Sequence, residues 1–144
     1  MSLFIVMQRY TEIEHTADIG IEVYGDTLEE LFQNAGYALF TSIVNVATIT
    51  PTVVRTVKIN GENFEMLLMN WLRELLYLFS VHQEVYAEFI PDSLRNDAFE
   101  ATLKGEPLDL DKHQFHTEIK AVTYHQFSVI REDGFWKARV IFDV

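Results

Sequence analysis

Asp18 and Asp143 stand near opposite ends of the chain, yet each lies in a run of alternating apolar and polar residues and falls on its polar side. In the first run Ile19, Ile21 and Val23 share one face. Asp18, Gly20 and Glu22 therefore project from the other, because successive side chains of a strand point to opposite sides of its sheet. In the last run Trp136, Ala138, Val140, Phe142 and Val144 alternate with Lys137, Arg139, Ile141 and Asp143. If these two strands are neighbours, their carboxylates converge, and Val144 adds a terminal carboxylate beside them. Clustered hard oxygens of this kind prefer Ca²⁺, Mg²⁺ or Mn²⁺. Glu118, beside Lys120 at the start of another strand, is a further carboxylate on an off-core face. The competing reading is a set of solvated surface acids, and burial statistics favour it on geometry alone.

The elements that must position these residues follow from pattern. Tyr10 to Val23 reads as strand, tight turn and strand, with His15, Thr16 and Ala17 in the turn just before Asp18. Thr27 and Glu30 have capping-box spacing, and a helix follows to about residue 45, with Leu28, Leu31, Phe32, Ala35, Leu39, Ile43 and Val44 in its apolar stripe. Gln33 and Asn34 fall outside that stripe. A β-branched strand over 53–59 ends at Asn60-Gly61, and a second helix spans 62–81 with an unusually broad apolar face. So wide a surface implies burial against both a sheet and the first helix. The remainder is extended. Strands at 85–90 and 99–104 precede a break at Gly105-Glu106-Pro107 and a polar loop over 108–116. Then comes a long or bulged strand from 118 to 130, and Asp133-Gly134 turns the chain into the last strand. The order β-β-α-β-α-β-β-β-β predicts an α+β fold, with two helices packed on one side of a curved, mainly antiparallel sheet. Strand-helix-strand recurs, which suggests an internal duplication.

Composition narrows the function. A chain of 144 residues, 49% hydrophobic, suits one compact domain over 1–144, with 1–6 read as an extension. Twenty-two acidic against eleven basic residues give a net charge of −11, which disfavours direct binding to nucleic acid. Without cysteine there are no disulfides, thiolate nucleophiles or cysteine zinc sites, and the cytoplasm is the default compartment. Asn70, Arg73 and Glu74 interrupt the second helix well short of a membrane span. No glycine-rich phosphate loop opens either helix, and no serine or threonine sits in a nucleophile elbow. His113 and His116 form only a weak zinc signal, so a solvated loop is the expectation there.

Four separated motifs point further: Glu14-His15-Thr16-Ala17-Asp18-Ile19-Gly20, Trp71-Leu72-Arg73-Glu74-Leu75-Leu76-Tyr77, Glu118-Ile119-Lys120-Ala121-Val122-Thr123-Tyr124-His125, and the ending Val140-Ile141-Phe142-Asp143-Val144. In this order they make the chain from Tyr10 to Val144 resemble archease, the protein cofactor of RtcB-type tRNA-splicing ligases. The resemblance implies a non-catalytic activator that promotes guanylylation and multiple turnover of the ligase in tRNA splicing and RNA repair. It places a divalent metal on Asp18, Asp143 and the terminal Val144; hard-oxygen chemistry puts Ca²⁺ first there with Mg²⁺ or Mn²⁺ as alternatives, and His15 in the adjoining turn is the candidate for the layer behind them. It places functional polar groups on Lys112 and Glu118. It also implies two strand-helix-strand-strand modules, one inserted in the other. The rival readings are a small metal-dependent hydrolase or transferase built on Asp18 and Asp143, and a chaperone-like protein that would not need Asp18.

Overall fold

The computed structural model describes residues 8–13 and 17–144. The element order is β1 (Tyr10–Ile13), β2 (Asp18–Gly25), α1 (Leu28–Ile43), β3 (Val53–Asn60), α2 (Phe64–His82), β4 (Glu84–Leu94), β5 (Ala98–Pro107), the one-turn helix α3 (Leu110–His113), β6 (Ala121–Glu132) and β7 (Phe135–Asp143). A 3₁₀ turn, Val46–Thr48, follows α1. The expected α+β architecture is present, but the single curved sheet is replaced by two antiparallel ones. One has strand order β1-β2-β7-β6 and the other β3-β5-β4. Periodicity located the strands, whereas their division between sheets depends on which distant strand each one meets.

The division has a simple logic. β3-α2-β4-β5 sits in the chain between α1 and β6, so a complete strand-helix-strand-strand unit is inserted into another made of β2, α1, β6 and β7. In both units the last strand lies between the first and the second, as β2-β7-β6 and β3-β5-β4. The modules thus repeat one topology, as the resemblance implied.

Local chemistry starts α1 where the pattern placed it and α2 two residues later than the expected position 62. Thr27 Oγ1 accepts the Glu30 N–H at 3.1 Å, and the Glu30 carboxylate accepts the Asp26 N–H at 3.0 Å. Asn63 caps α2 through the Met66 N–H at 2.9 Å. α1 and α2 each pack against strands of both sheets. That explains the broad apolar face of α2, on which Leu67, Leu68, Met69, Trp71, Leu72 and Leu75 are fully buried. Trp71 stacks edge-on with Phe99, and its indole N–H donates to the Phe32 carbonyl at 2.8 Å, which joins the helices without leaving a buried donor unpaired. Asn34, read as lying off the stripe, is buried instead. Its amide donates to the Tyr24 carbonyl at 2.8 Å, while Gln33 donates to Phe89 at 2.9 Å, so α1 is tied to β2 on one side and β4 on the other.

Pro91 does not end β4. That strand lies at a sheet edge and has a register shift between Pro91 and Ser93, which is where a residue without an N–H can be accommodated. A second shift follows Tyr86, opposite Gly105. A Cβ at Gly105 would stand 1.9 Å from the Val85 carbonyl oxygen and 2.8 Å from Tyr86 Cα, so the close strand approach there requires glycine. Gly105→Ala should therefore destabilise the protein by about 2–3 kcal/mol and lower its melting temperature by roughly 5–10 °C. The control is Val54→Ala at an exposed position, and equal melting curves for the two variants would contradict the packing at Gly105.

Candidate functional site

The β2–β7 ladder decides where the two aspartates meet. Its register pairs Asp18 with Asp143, Gly20 with Ile141 and Glu22 with Arg139. Residues directly opposite in an antiparallel pair present their side chains on the same face, with Cβ atoms about 4.5–5.5 Å apart. The two carboxylates, 125 positions apart in sequence, are thus brought together at one end of the sheet, as the alternation predicted. Next along the same face, Ile13 and Ile141 cover Gly20 and fill the space between the aspartates and the following polar pair. Ile141 is buried, so this face is not uniformly polar as its odd-numbered positions suggested. Beyond it Arg139 donates to Glu22 at 2.9 Å, and that bond holds the Glu22 carboxyl below its ordinary range. Glu22 is committed to Arg139.

Two contacts fix the end of β7. Val144 packs its side chain against the core, and the Asp143 carbonyl accepts the Lys120 N–H at 2.8 Å. The second contact ties the segment before β6 to the aspartate pair. Glu118 is exposed and lies before β6 begins at Ala121, so it does not occupy a strand start. Among the described residues no three His, Cys, Asp or Glu side chains gather as a metal site. Glu118 therefore does not join Asp18 and Asp143. His15 and the stretch 1–6 lie outside the described residues.

Lys112 belongs to a different cluster, one the polar composition of 108–116 concealed. His113 is completely buried, which overturns the solvated-loop expectation for this histidine. Its Nδ1 accepts the Asp109 N–H at 3.0 Å, so Nε2 carries the proton and donates to Glu106 at 2.7 Å. The same carboxylate accepts the Thr50 N–H at 2.8 Å and the Lys112 ammonium at 2.8 Å, and Lys112 also reaches Thr50 Oγ1 at 3.2 Å. Asp109 caps α3 through the Asp111 and Lys112 N–H groups. Backbone bonds from Asn45 to His113 and from His116 to Ile43 complete the attachment of this segment to the end of α1. The loop is pinned because its polar groups find partners contributed by β5 and by the linker after α1. The Lys112 bond comes first among the causes that hold the Glu106 carboxyl down at about 2, followed on the lowering side by His113 and the Thr50 N–H.

This depressed value has a definite sign in stability. The contribution of Glu106 is complete above the ordinary carboxyl value of 4.5 and is lost as pH falls toward about 2. Glu106→Gln should be less stable than the parent at neutral pH, with the difference shrinking across that interval. Denaturant unfolding of both proteins from pH 7 to pH 2 measures it, and a difference independent of pH would contradict the ion-pair account.

Comparison with known proteins identifies the family and the fold. Residues 10–144 match the profile of the Archease protein family (MTH1598/TM1083). Protein archease of Methanosarcina mazei is 40% identical over 141 residues, covering 95% of this chain and 97% of the relative. That of Pyrococcus abyssi is 41% identical over 142 residues, covering 96% and 100%. The solution structure of Methanobacterium thermoautotrophicum protein 1598 superimposes with a TM-score of 0.81 at 32% identity, covering 96% of this chain and all of that one. A Thermotoga maritima crystal structure, described as an archease and possible chaperone, does so with a TM-score of 0.67 at 25% identity, over 92% and 94% of the two chains. Profile, relatives and fold coincide over almost the whole sequence, and the chain belongs to the archease family.

Proposed function

We propose that this protein is a non-catalytic activator of an RtcB-type RNA ligase, promoting the ligase's guanylylation and multiple turnover in tRNA splicing and RNA repair, and that it works in the cytoplasm. The observation that carries the reading is the Asp18–Asp143 pairing beside Val144 in a member of the archease family. Two carboxylates placed directly opposite each other repel, and a cation between them would relieve that repulsion. The donors are hard oxygens, so they suit Ca²⁺ first, with Mg²⁺ or Mn²⁺ as alternatives; the Val144 carboxylate, where the chain stops there, would add a third. The metal would supply a fixed positive charge at the end of β2 and β7. This chain's own residues hold that end in place.

Lys112 and Glu118 are the polar groups we assign to partner activation. The first is half-exposed and oriented by Glu106 and Thr50, and the second projects into solvent. The hydrolase alternative is less well supported by the arrangement. Glu106 and His113 have the composition of an acid–base dyad, but both ring nitrogens are engaged, one by the Asp109 N–H and the other by the carboxylate. A base with no free nitrogen has no means of accepting a substrate proton. The net charge of −11 fits an accessory role, since an acidic helper approaches a basic RNA-binding partner by electrostatic steering without competing for its RNA.

Asp18→Asn and a short extension after Val144 should each weaken Ca²⁺ binding by roughly tenfold or more and reduce ligase activation, with the melting temperature nearly unchanged. An extension before Met1 should do neither. Calorimetric Ca²⁺ titration, ligation turnover and a melting curve for each form provide the comparison. Full activation by both altered forms would refute the metal site, while activation independent of Asp18 across unrelated client proteins would favour the chaperone-like reading.

A further inference from the structure

The second half of α2 borders two concavities that adjoin at Ser80. One, of about 310 Å³, is lined by Arg73, Tyr77 and Lys120; the other, of about 400 Å³, is lined by Phe79, Leu110, Phe115 and Glu118. The surface between them is unusually apolar for an exposed one. Tyr77 is 50% exposed, Leu110 63% and Phe115 40%, three of the seven large apolar side chains that face solvent among the described residues. A fourth, Tyr124, lies beneath the Arg73 guanidinium at 4.7 Å and continues the patch onto β6. Hydrophobic surface gathered in a groove with polar ends is the pattern of a recognition site rather than of scattered exposure.

Its two concavities carry opposite charges. In one, Arg73 and Lys120 form no ion pair with a carboxylate among the described residues, although acidic residues outnumber basic ones two to one in this chain. Arg73 is held in place by Tyr124 and by a bond to the Val122 carbonyl at 3.3 Å, so its position is set before any ligand arrives. In the other stands Glu118. We propose that this groove docks a segment of the partner protein in which apolar side chains lie between a carboxylate, received by Arg73 and Lys120, and a basic side chain, received by Glu118. The proposal rests on the partner-activation reading above and adds the surface through which the partner is held. The Lys120 N–H is bonded to the Asp143 carbonyl, so a single backbone hydrogen bond links the groove to the end of the strand that carries Asp143. Occupation by a second copy is opposed by the −11 charge that each copy would bring. A nucleic-acid strand is opposed by the same charge and by Glu118 within the groove.

The test measures binding of an RtcB-type ligase to Phe115→Asp, Leu110→Asp, the double variant Arg73→Glu/Lys120→Glu, and Val54→Asp on β3 as a control, with a melting curve for each. The groove variants should weaken binding by roughly tenfold or more at unchanged melting temperature, and the control should bind as the parent does. Parent-like binding by all the groove variants would overturn the docking site, and it would leave the activator reading standing if Asp18→Asn still loses activation. Failure of the parent itself to bind or activate the ligase would overturn both. Sedimentation and RNA titration of the parent alone complete the set. A dimer dispersed by Phe115→Asp would reassign the groove to a second copy, and RNA binding abolished by Arg73→Glu/Lys120→Glu would reassign it to RNA.

Discussion

The antiparallel pairing of β2 with β7 is the constraint on which the rest of this structure depends. It joins the beginning of the described chain to its end, closes the outer module around an inserted copy of the same topology, and sets the register that puts Asp18 opposite Asp143. Register in a strand pair is an all-or-none matter, because a slip of one residue sends every side chain to the other face. Here Ile21, Val23, Ala138, Val140 and Phe142 are buried beneath the sheet, and Ile13 with Ile141 covers Gly20 above it. Both faces therefore oppose a slip. The aspartates are held by apolar packing along the same strands, beginning with their immediate neighbours Ile19, Phe142 and Val144.

Much of this was legible in the sequence because it depends on short-range period. Alternation placed Asp18 and Asp143 off the core, the capping pair Thr27 and Glu30 marked the start of α1, and Asp133-Gly134 marked the last turn, where Gly134 has φ 86°. The anticipated irregularity in β6 is also present, as a register shift between Thr123 and Ser128 with Gln126 at φ 53°. What escaped the reading depends on partners distant in the chain. Nothing in the composition of 108–116 shows that His113 is buried, since the groups that allow it, Glu106 and the Thr50 N–H, come from β5 and from the linker after α1. A signal was present in Glu106 and His113, an acid and a histidine seven positions apart around a proline, but that spacing has no meaning until the one-turn helix is formed. Asn34 was misplaced for the same reason, because the carbonyl it satisfies belongs to β2.

The two modules share a topology but divide the work unequally. The inserted one supplies β5 and the body of α2, which carry the Glu106 cluster and one wall of the groove. The outer one supplies the aspartate pair and the segment leading into β6. Glu118 and Lys120 lie on that segment, between the pinned α3 and the end of β7, so one short stretch of backbone connects all three features. Its anchoring at both ends gives the exposed groups a fixed relation to the aspartates. A partner could then meet charge, apolar surface and cation site as a single arrangement.

Addition of substoichiometric Mn²⁺ to isotopically labelled protein, followed by the loss of amide signals, tests the centre of this account most directly. If β2 and β7 create a hard-cation site at their paired aspartates, the signals of Asp18, Ile19, Ala121, Phe142 and Asp143 disappear first. Those of Gly134 and Phe135, about 25 Å away at the other end of β7, remain. Broadening centred anywhere else, or none that Ca²⁺ reverses, would contradict it.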